Sequence, residues 1–303
     1  MKDVPLCVDL DGTLINTDLL MESLFALIRQ EPLTSLQVPF WFLQGKARLK
    51  EEIVKRVRID ISRLPYHIEF LTYLRRLHSE GRRLVLATAS HQRFAEEVAR
   101  YLGFFEAVLA TDAGQNLSRA RKGACLAAIY GEQGFDYAGN SRADLAVWKR
   151  ARSAILVNPV PGLRRKTNVP IVALFDDRQG ILKVYLKTLF SFENWIWSTL
   201  VFVVLVQFVV ELSFTSSMLA FSSFLFSNAS VSLLGDLLNL QKDRTDPKRS
   251  IRPLASGTLS IIHFAVLVPS LCFLSITFSF LLPKIFFLVL LGNYFLRLGL
   301  IIR

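Results

Sequence analysis

The sequence predicts a doubly wound parallel α/β sheet with a helical cap, followed by an all-α transmembrane bundle of about four spans. Three observations predict it. Short apolar, partly β-branched runs alternate with helical patterns through the first 178 residues, which is how a parallel sheet covered on both faces reads. From Phe190 onward apolar residues dominate, in stretches close to the roughly 20 residues that cross a bilayer. Most of the charge lies before that boundary, although the 303-residue chain as a whole is 52% hydrophobic, with mean hydropathy +0.38 and net charge +11.

The strand-like runs are Val4–Val8, Leu84–Thr88, Ala107–Thr111, Phe135–Gly139, Ala154–Asn158 and Ile171–Phe175. Between them lie helical patterns such as "HQRFAEEVARYLG" and "KGACLAAIYGEQG". A helical insert, about residues 18–64, separates the first strand from the second and reads as the cap. Its "VPFWFL" places Phe40, Trp41 and Phe42 beside a basic run. They serve either as the cap's own core, the simpler reading, or as a membrane contact that admits a lipid-linked phosphate. Residues 179–194 read as an interfacial helix with Lys183 and Lys187, leading to Trp195 and Trp197; a last helix packed on the soluble part is the alternative.

Spans are expected near Trp195–Val210, Met218–Leu234, Ser260–Leu282 and Ile285–Ile302. Between the second and third, Lys242, Arg244, Lys248, Arg249 and Arg252 crowd one loop, which puts that loop on the cytoplasmic side. An even number of spans returns both termini there. The expected location is therefore the inner membrane, multi-pass, with the soluble domain cytoplasmic. Beside such spans the basic charge fits an anionic leaflet, so a bilayer and not nucleic acid is the expected partner. Cys7, Cys125 and Cys272 are widely spaced and odd in number, as in a reduced compartment. Asp3 and the carboxylates of the first apolar run argue against a signal peptide.

Ligands of doubly wound sheets sit beyond the carboxyl ends of the strands, and polar residues gather at those ends here. "DLDGT" ends the first strand with Asp9 and Asp11, whose like charges repel unless a cation or a phosphoryl group needs them. Thr88 ends the second, "GNSRAD" follows the fourth with Asn140 and Asp144, and Lys122 opens a helix. Taken singly, Thr88 reads as a turn residue, Lys122 as a solvated cation and Asp144 as a helix N-terminal charge.

In this order the four pieces resemble the haloacid dehalogenase superfamily of phosphohydrolases over residues 1–178. The resemblance implies a phosphatase in which Asp9 is the nucleophile that becomes a phospho-aspartate and Asp11 the general acid and base. Thr88 and Lys122 would hold the phosphoryl oxygens. Mg²⁺ would be held by Asp9, the Asp11 carbonyl, Asn140 and Asp144. Asn140 stands where the superfamily usually has Asp, which implies weaker Mg²⁺ binding. The insert would be the substrate-selecting cap.

In "LLGDLLNLQKDRTDPKRSIRPLASG", Asp236, Asn239 and Asp243 are spaced i, i+3, i+7 and would share one helix face. The segment is similar to the first aspartate-rich motif of UbiA-type prenyltransferases. That implies Mg²⁺ and prenyl diphosphate binding by Asp236, Asn239, Asp243, Lys248 and Arg252, with residues 195–303 a partial UbiA-type module. A hydrated basic loop is the plain alternative. Gly235, Asn239 and "NWIWST" depart from the family pattern, and its remaining spans and second aspartate-rich motif are missing. This resemblance implies the front part of a longer protein and no prenyl transfer by this chain alone. Three functions are expected in turn: a membrane-tethered Mg²⁺-dependent phosphatase of lipid or polyprenyl phosphates, a prenyltransferase with an accessory soluble domain, or a non-catalytic membrane binding module.

Overall fold

A computed structural model describes residues 4–112, 117–176 and 213–302, together with 180, 184–186, 188, 196 and 199–200. Strand β1 (Leu6–Val8) is buried at every residue, so it must lie inside a sheet covered on both faces. It pairs in parallel with β2 (Leu84–His91) on one side and β4 (Asp136–Gly139) on the other. Strand β3 (Ala107–Thr111) flanks β2, while β5 (Ser153–Val157) and β6 (Ile171–Phe175) continue beyond β4. The order β3-β2-β1-β4-β5-β6 reverses direction between β1 and β4. Such a reversal opens a crevice at the strands' carboxyl ends, and Asp9 and Asn140 stand at its two lips.

The predicted helical cap is present, as α1 (Leu19–Gln30), α2 (Pro32–Ser35), α3 (Val38–Leu43) and α4 (Lys46–Val54). Asp18 starts α1 by accepting the Met21 N–H at 2.9 Å, as an N-cap should. Trp41 is buried in the core that the cap shares with the sheet, its ring under the Arg56 guanidinium. Phe40 and Phe42 are exposed, with Leu33, Leu36 and Leu43 beside them in sequence. Of the aromatic trio, Trp41 alone belongs to the cap's core. Helices α5 (Ile68–Ser79), α6 (Gln92–Leu102), α7 (Ala120–Tyr130), α8 (Leu145–Trp148) and α9 (Leu163–Lys166) complete the α/β part.

Beyond it run α10 (Phe214–Leu238), α11 (Leu240–Asp243), α12 (Ile261–Phe280) and α13 (Lys284–Ile302). Among the described residues, α10 and α12 are long and apolar enough to cross a membrane by length and composition. They meet through small residues: Ser223 Oγ donates to the Ser275 carbonyl and Ser275 Oγ to the Ser223 carbonyl, both at 2.8 Å. Asn293 on α13 donates to Asn228 Oδ1 at 3.1 Å, so its buried amide is paired across to α10. The predicted span 195–210 and the predicted linker helix 179–194 lie almost wholly outside the described residues.

The two halves are joined at α1. Glu22, fully buried, receives both Nη1 and Nη2 of Arg244 at 2.8 and 2.6 Å, and Thr17 Oγ1 at 2.6 Å. Met21 and Phe25 on α1 pack against a cluster that includes Leu237, Leu240, Leu254 and Phe264. Gly257 has φ +75°, and a Cβ there would stand 2.7 Å from Pro65 Cβ and 2.9 Å from Asn16 Cβ. Only glycine lets the loop before α12 lie this close to the turn after β1.

Candidate active site

β1 delivers Asp9 to the crevice, and the Asp9 N–H donates to the Ala138 carbonyl of β4 at 3.0 Å. The chain then turns at Gly12, where φ is +73° and a Cβ would lie 2.2 Å from the Asn140 amide nitrogen. That glycine brings Asp11 and Asn140 to the same opening. From the opposite side α7 sends in Lys122, whose Nζ donates to Asp9 Oδ1 at 2.7 Å and to Tyr137 Oη at 2.8 Å. The Tyr137 hydroxyl in turn donates to Asp144 Oδ1 at 2.9 Å. Lys122 is 3% exposed, so the pair sits where water screens it poorly. Burial alone would push the Lys122 ammonium down, but Asp9 and Asp144 outweigh it and hold its pKa above the ordinary value.

The two acids of "DLDGT" are held differently. Asp11 accepts the Leu19 N–H at 2.9 Å through Oδ1 and the Ser90 hydroxyl through Oδ2. Burial, with Asp18 nearby, pushes its pKa up to about 7 against the pull of Ser90. Burial also raises Asp9, to about 6, with Lys122 opposing. Both acids are thus held above the ordinary carboxylate range, and Asp9 alone of the two is hydrogen-bonded to Lys122. They open onto a cavity of about 320 Å³, which Lys122, Asn140, Ser260 and Ile262 also line.

Two predicted site residues make hydrogen bonds of their own at the crevice. Thr88 is fully buried, its Oγ1 accepts the Ser90 N–H at 3.0 Å, and Ser90 is the hydroxyl that reaches Asp11. The register of β2 against β3 shifts between Ala87 and His91, which re-aims the end of the strand. Asp144, expected on the metal, has both oxygens engaged: Oδ1 by Tyr137, Oδ2 by the N–H groups of Asn140 and Ser141 and by Ser141 Oγ at 2.8 Å. It forms a capping box with Ser141 and positions the loop that carries Asn140. Among the described residues no three His, Cys, Asp or Glu side chains converge as a metal cluster. One carboxylate with neutral oxygen donors still suits Mg²⁺, which keeps several waters. Asp9 and Asn140, both lining the cavity, fit that description.

The second acidic set is paired within its own segment. α10 ends at Leu238 with Asn239 as its C-cap, so Asp236 and Asp243 lie on consecutive helices. Asp236 pairs with Arg252, Asp243 Oδ1 with Arg249 at 3.2 Å, and Asn239 Nδ2 donates to the Gly235 carbonyl at 3.0 Å. Lys248 is exposed on the loop, its N–H on Asp246 Oδ1 at 2.8 Å.

Sequence reasoning passed over Ser90, Tyr137, Lys50 and the Glu22–Arg244 pair. Lys50 is a buried cation of α4 whose Nζ donates to the Ala89 carbonyl at 2.5 Å, fastening the cap beside Asp11. Burial pushes its pKa down. An alternating "ATAS" at a strand end could have flagged Ser90. Nothing local could have flagged a contact between residues 22 and 244.

Residues 6–148 match the family model described as haloacid dehalogenase-like hydrolase, which supports such a domain over that segment. Over 86% of its length the chain is 32% identical to an uncharacterized protein, y4nM, of Sinorhizobium fredii; it spans about half (52%) of the length of that curated relative. Among solved structures, a protein of unknown function from Bordetella pertussis Tohama I is 17% identical with a TM-score of 0.43, over 58% of this chain and 99% of that one. A substrate-bound phosphoserine phosphatase is 17% identical with a TM-score of 0.42, over 62% and 99%. A probable phosphoserine phosphatase from Vibrio cholerae is 15% identical with a TM-score of 0.41, over 56% and 62%.

Proposed function

We propose that this chain is a membrane-tethered phosphohydrolase that cleaves phosphate monoesters through a phospho-aspartate on Asp9. One observation carries the reading: the Lys122 ammonium lies 2.7 Å from Asp9 Oδ1 inside a cavity that Asp11 also lines. An Asp9 oxygen attacks phosphorus as the ester P–O bond breaks, and Asp11 protonates the departing oxygen. Asp11 then takes a proton from water as that water attacks phosphorus, and the P–O bond to Asp9 breaks to free phosphate. Lys122 offsets the negative charge gathered at Asp9 and holds phosphoryl oxygens. Ser90 orients the Asp11 carboxyl. Bound Mg²⁺, held by Asp9, the Asp11 carbonyl and Asn140, would supply further positive charge to the transferring phosphoryl group. Asp144 and Tyr137 fix Lys122 and the Asn140 loop.

The apolar α10 and α12, together with the exposed Leu33, Leu36, Phe40, Phe42 and Leu43, support attachment at the cytoplasmic face of the inner membrane and a lipid-linked, polyprenyl-type phosphate as substrate. A second reading draws on the loop after α10. Its run from Arg252 to Gly257 supports a UbiA-type module in which Asp236, Asn239, Asp243, Lys248 and Arg252 serve a prenyl diphosphate. The phosphatase reading is tested with the full chain in detergent, Mg²⁺ and p-nitrophenyl phosphate. Steady release of phosphate is expected, and Asp9→Asn abolishes it. No release by the unaltered chain, or release that survives Asp9→Asn, overturns the reading.

A further inference from the structure

The cavity that holds Asp9, Asp11 and Lys122 is not walled by the α/β part alone. Ser260 and Ile262, from the start of α12, line it as well. They are brought there by a fixed connection. Arg244 joins its bidentate pair with Glu22 to a 3.2 Å hydrogen bond from Nε to the Ala255 carbonyl. Gly257 then sits against Pro65 and Asn16 with no room for a side chain, and Leu254 and Leu259 are buried on either side of it. The chain thus enters α12 at a defined place on the cavity rim.

From that rim an apolar strip leaves along the helix. Ile262 is 48% exposed, Val266 61% and Phe273 70%. At 3.6 residues per turn, positions i, i+4 and i+11 fall on one side of a helix. The strip extends roughly 16 Å from Ile262 at about 1.5 Å per residue. One end is the Asp9–Lys122 subsite, which suits a phosphoryl group; along the rest the exposed side chains are apolar, and the neighbouring Ser270 and Thr277 hydroxyls are turned onto the helix's own carbonyls.

We infer that Ile262, Val266 and Phe273 form a leaving-group subsite, continuous with the phosphoryl subsite, that accepts the hydrocarbon chain of an amphiphilic phosphate monoester. The inference rests on the phosphohydrolase reading and adds to it where the alcohol portion of the substrate lies. The head group enters between Asp9 and Lys122, the linking carbons pass Ser260, and the chain lies along α12. Truncating one aliphatic side chain of such a strip removes several carbons of contact, worth about tenfold in specificity.

The test uses the full chain in detergent micelles with Mg²⁺, and compares kcat/KM for dodecyl phosphate with kcat/KM for p-nitrophenyl phosphate. The unaltered chain favours dodecyl phosphate. Ile262→Ser and Val266→Ser each lower the ratio of the two constants by about tenfold, mainly through KM for dodecyl phosphate, and Ile262→Leu restores it. A ratio that stays within twofold for both serine variants, while phosphate is still released, overturns this inference and leaves the phosphohydrolase reading standing. No phosphate from either substrate overturns both.

Discussion

The acids at the top of the sheet and those in the loop after α10 are the same residue types at similar spacing, yet the fold treats them oppositely. Asp236 and Asp243 each meet an arginine of their own loop, Arg252 and Arg249, both of which reach solvent. Asp9 pairs directly with the buried Lys122, whereas Asp11 has a second buried cation, Lys50, nearby and takes its hydrogen bonds from neutral donors, Ser90 and the Leu19 N–H. The first arrangement neutralises charge; the second leaves it under tension, with both carboxyls displaced upward from the ordinary carboxylate range. Spacing alone does not make an acidic motif reactive. What matters is whether the counter-charges come with the acids or are left for a substrate and a cation to provide.

The largest test of this contrast is Lys122→Met. Removing the buried ammonium leaves Asp9 and Asp144 without their shared counter-charge, and kcat/KM for p-nitrophenyl phosphate should fall by about a thousandfold, near 4 kcal/mol of barrier. A loss under tenfold would mean that the sheet-top acids do not depend on that cation. Next in size is Arg244→Met. A fully buried carboxylate loses its bidentate partner, and denaturation of the detergent-solubilised chain should register a destabilisation of about 3–5 kcal/mol. Adding Glu22→Gln to the same protein should recover much of it.

Asp11→Asn sharpens the comparison through pH. The folded pKa of Asp11 is raised from 3.8 to about 7, so the native state keeps a proton that the unfolded chain has released. Stability contributed at this site is therefore lost as pH rises from about 4 through 7. In metal-free buffer Asp11→Asn should be more stable than the unaltered chain at pH 8, by about 4 kcal/mol, and the gap should close near pH 4. A gap that widens on acidification would reverse the assigned sign. The smallest effect belongs to the other set. Asp243→Asn should change stability by about 1 kcal/mol or less, as for a pair whose cation is half in water, and phosphate release by under twofold.

Most of the sheet was legible because buried parallel strands are runs of apolar residues between turn signals. Ala107–Thr111 and Ile171–Phe175 fall where expected, and the others shift by a few residues at most. The pair Asp9 and Asp11 and the cation Lys122 were legible because each opens or closes a periodic segment. Thr88 and Ser90 could not be told apart, since the irregularity between Ala87 and His91 belongs to the pairing with β3 and not to β2 alone. The capping box of Asp144 was legible in Ser141 three residues earlier, though it was not read there. The i, i+3, i+7 face of the second set assumed a helix that runs on through Asn239, where α10 ends. The junction at Glu22 was beyond reach, because a contact spanning 222 positions leaves no periodic trace.

A hinge needs slack, and the seat of α1 on the helices beyond it provides little. Swinging that lid outward as a rigid body would pull Glu22 off Arg244 and strip Met21 and Phe25 from their oily bed. The cavity around Asp9 therefore keeps Ser260 and Ile262 as a fixed part of its wall for as long as that seat holds.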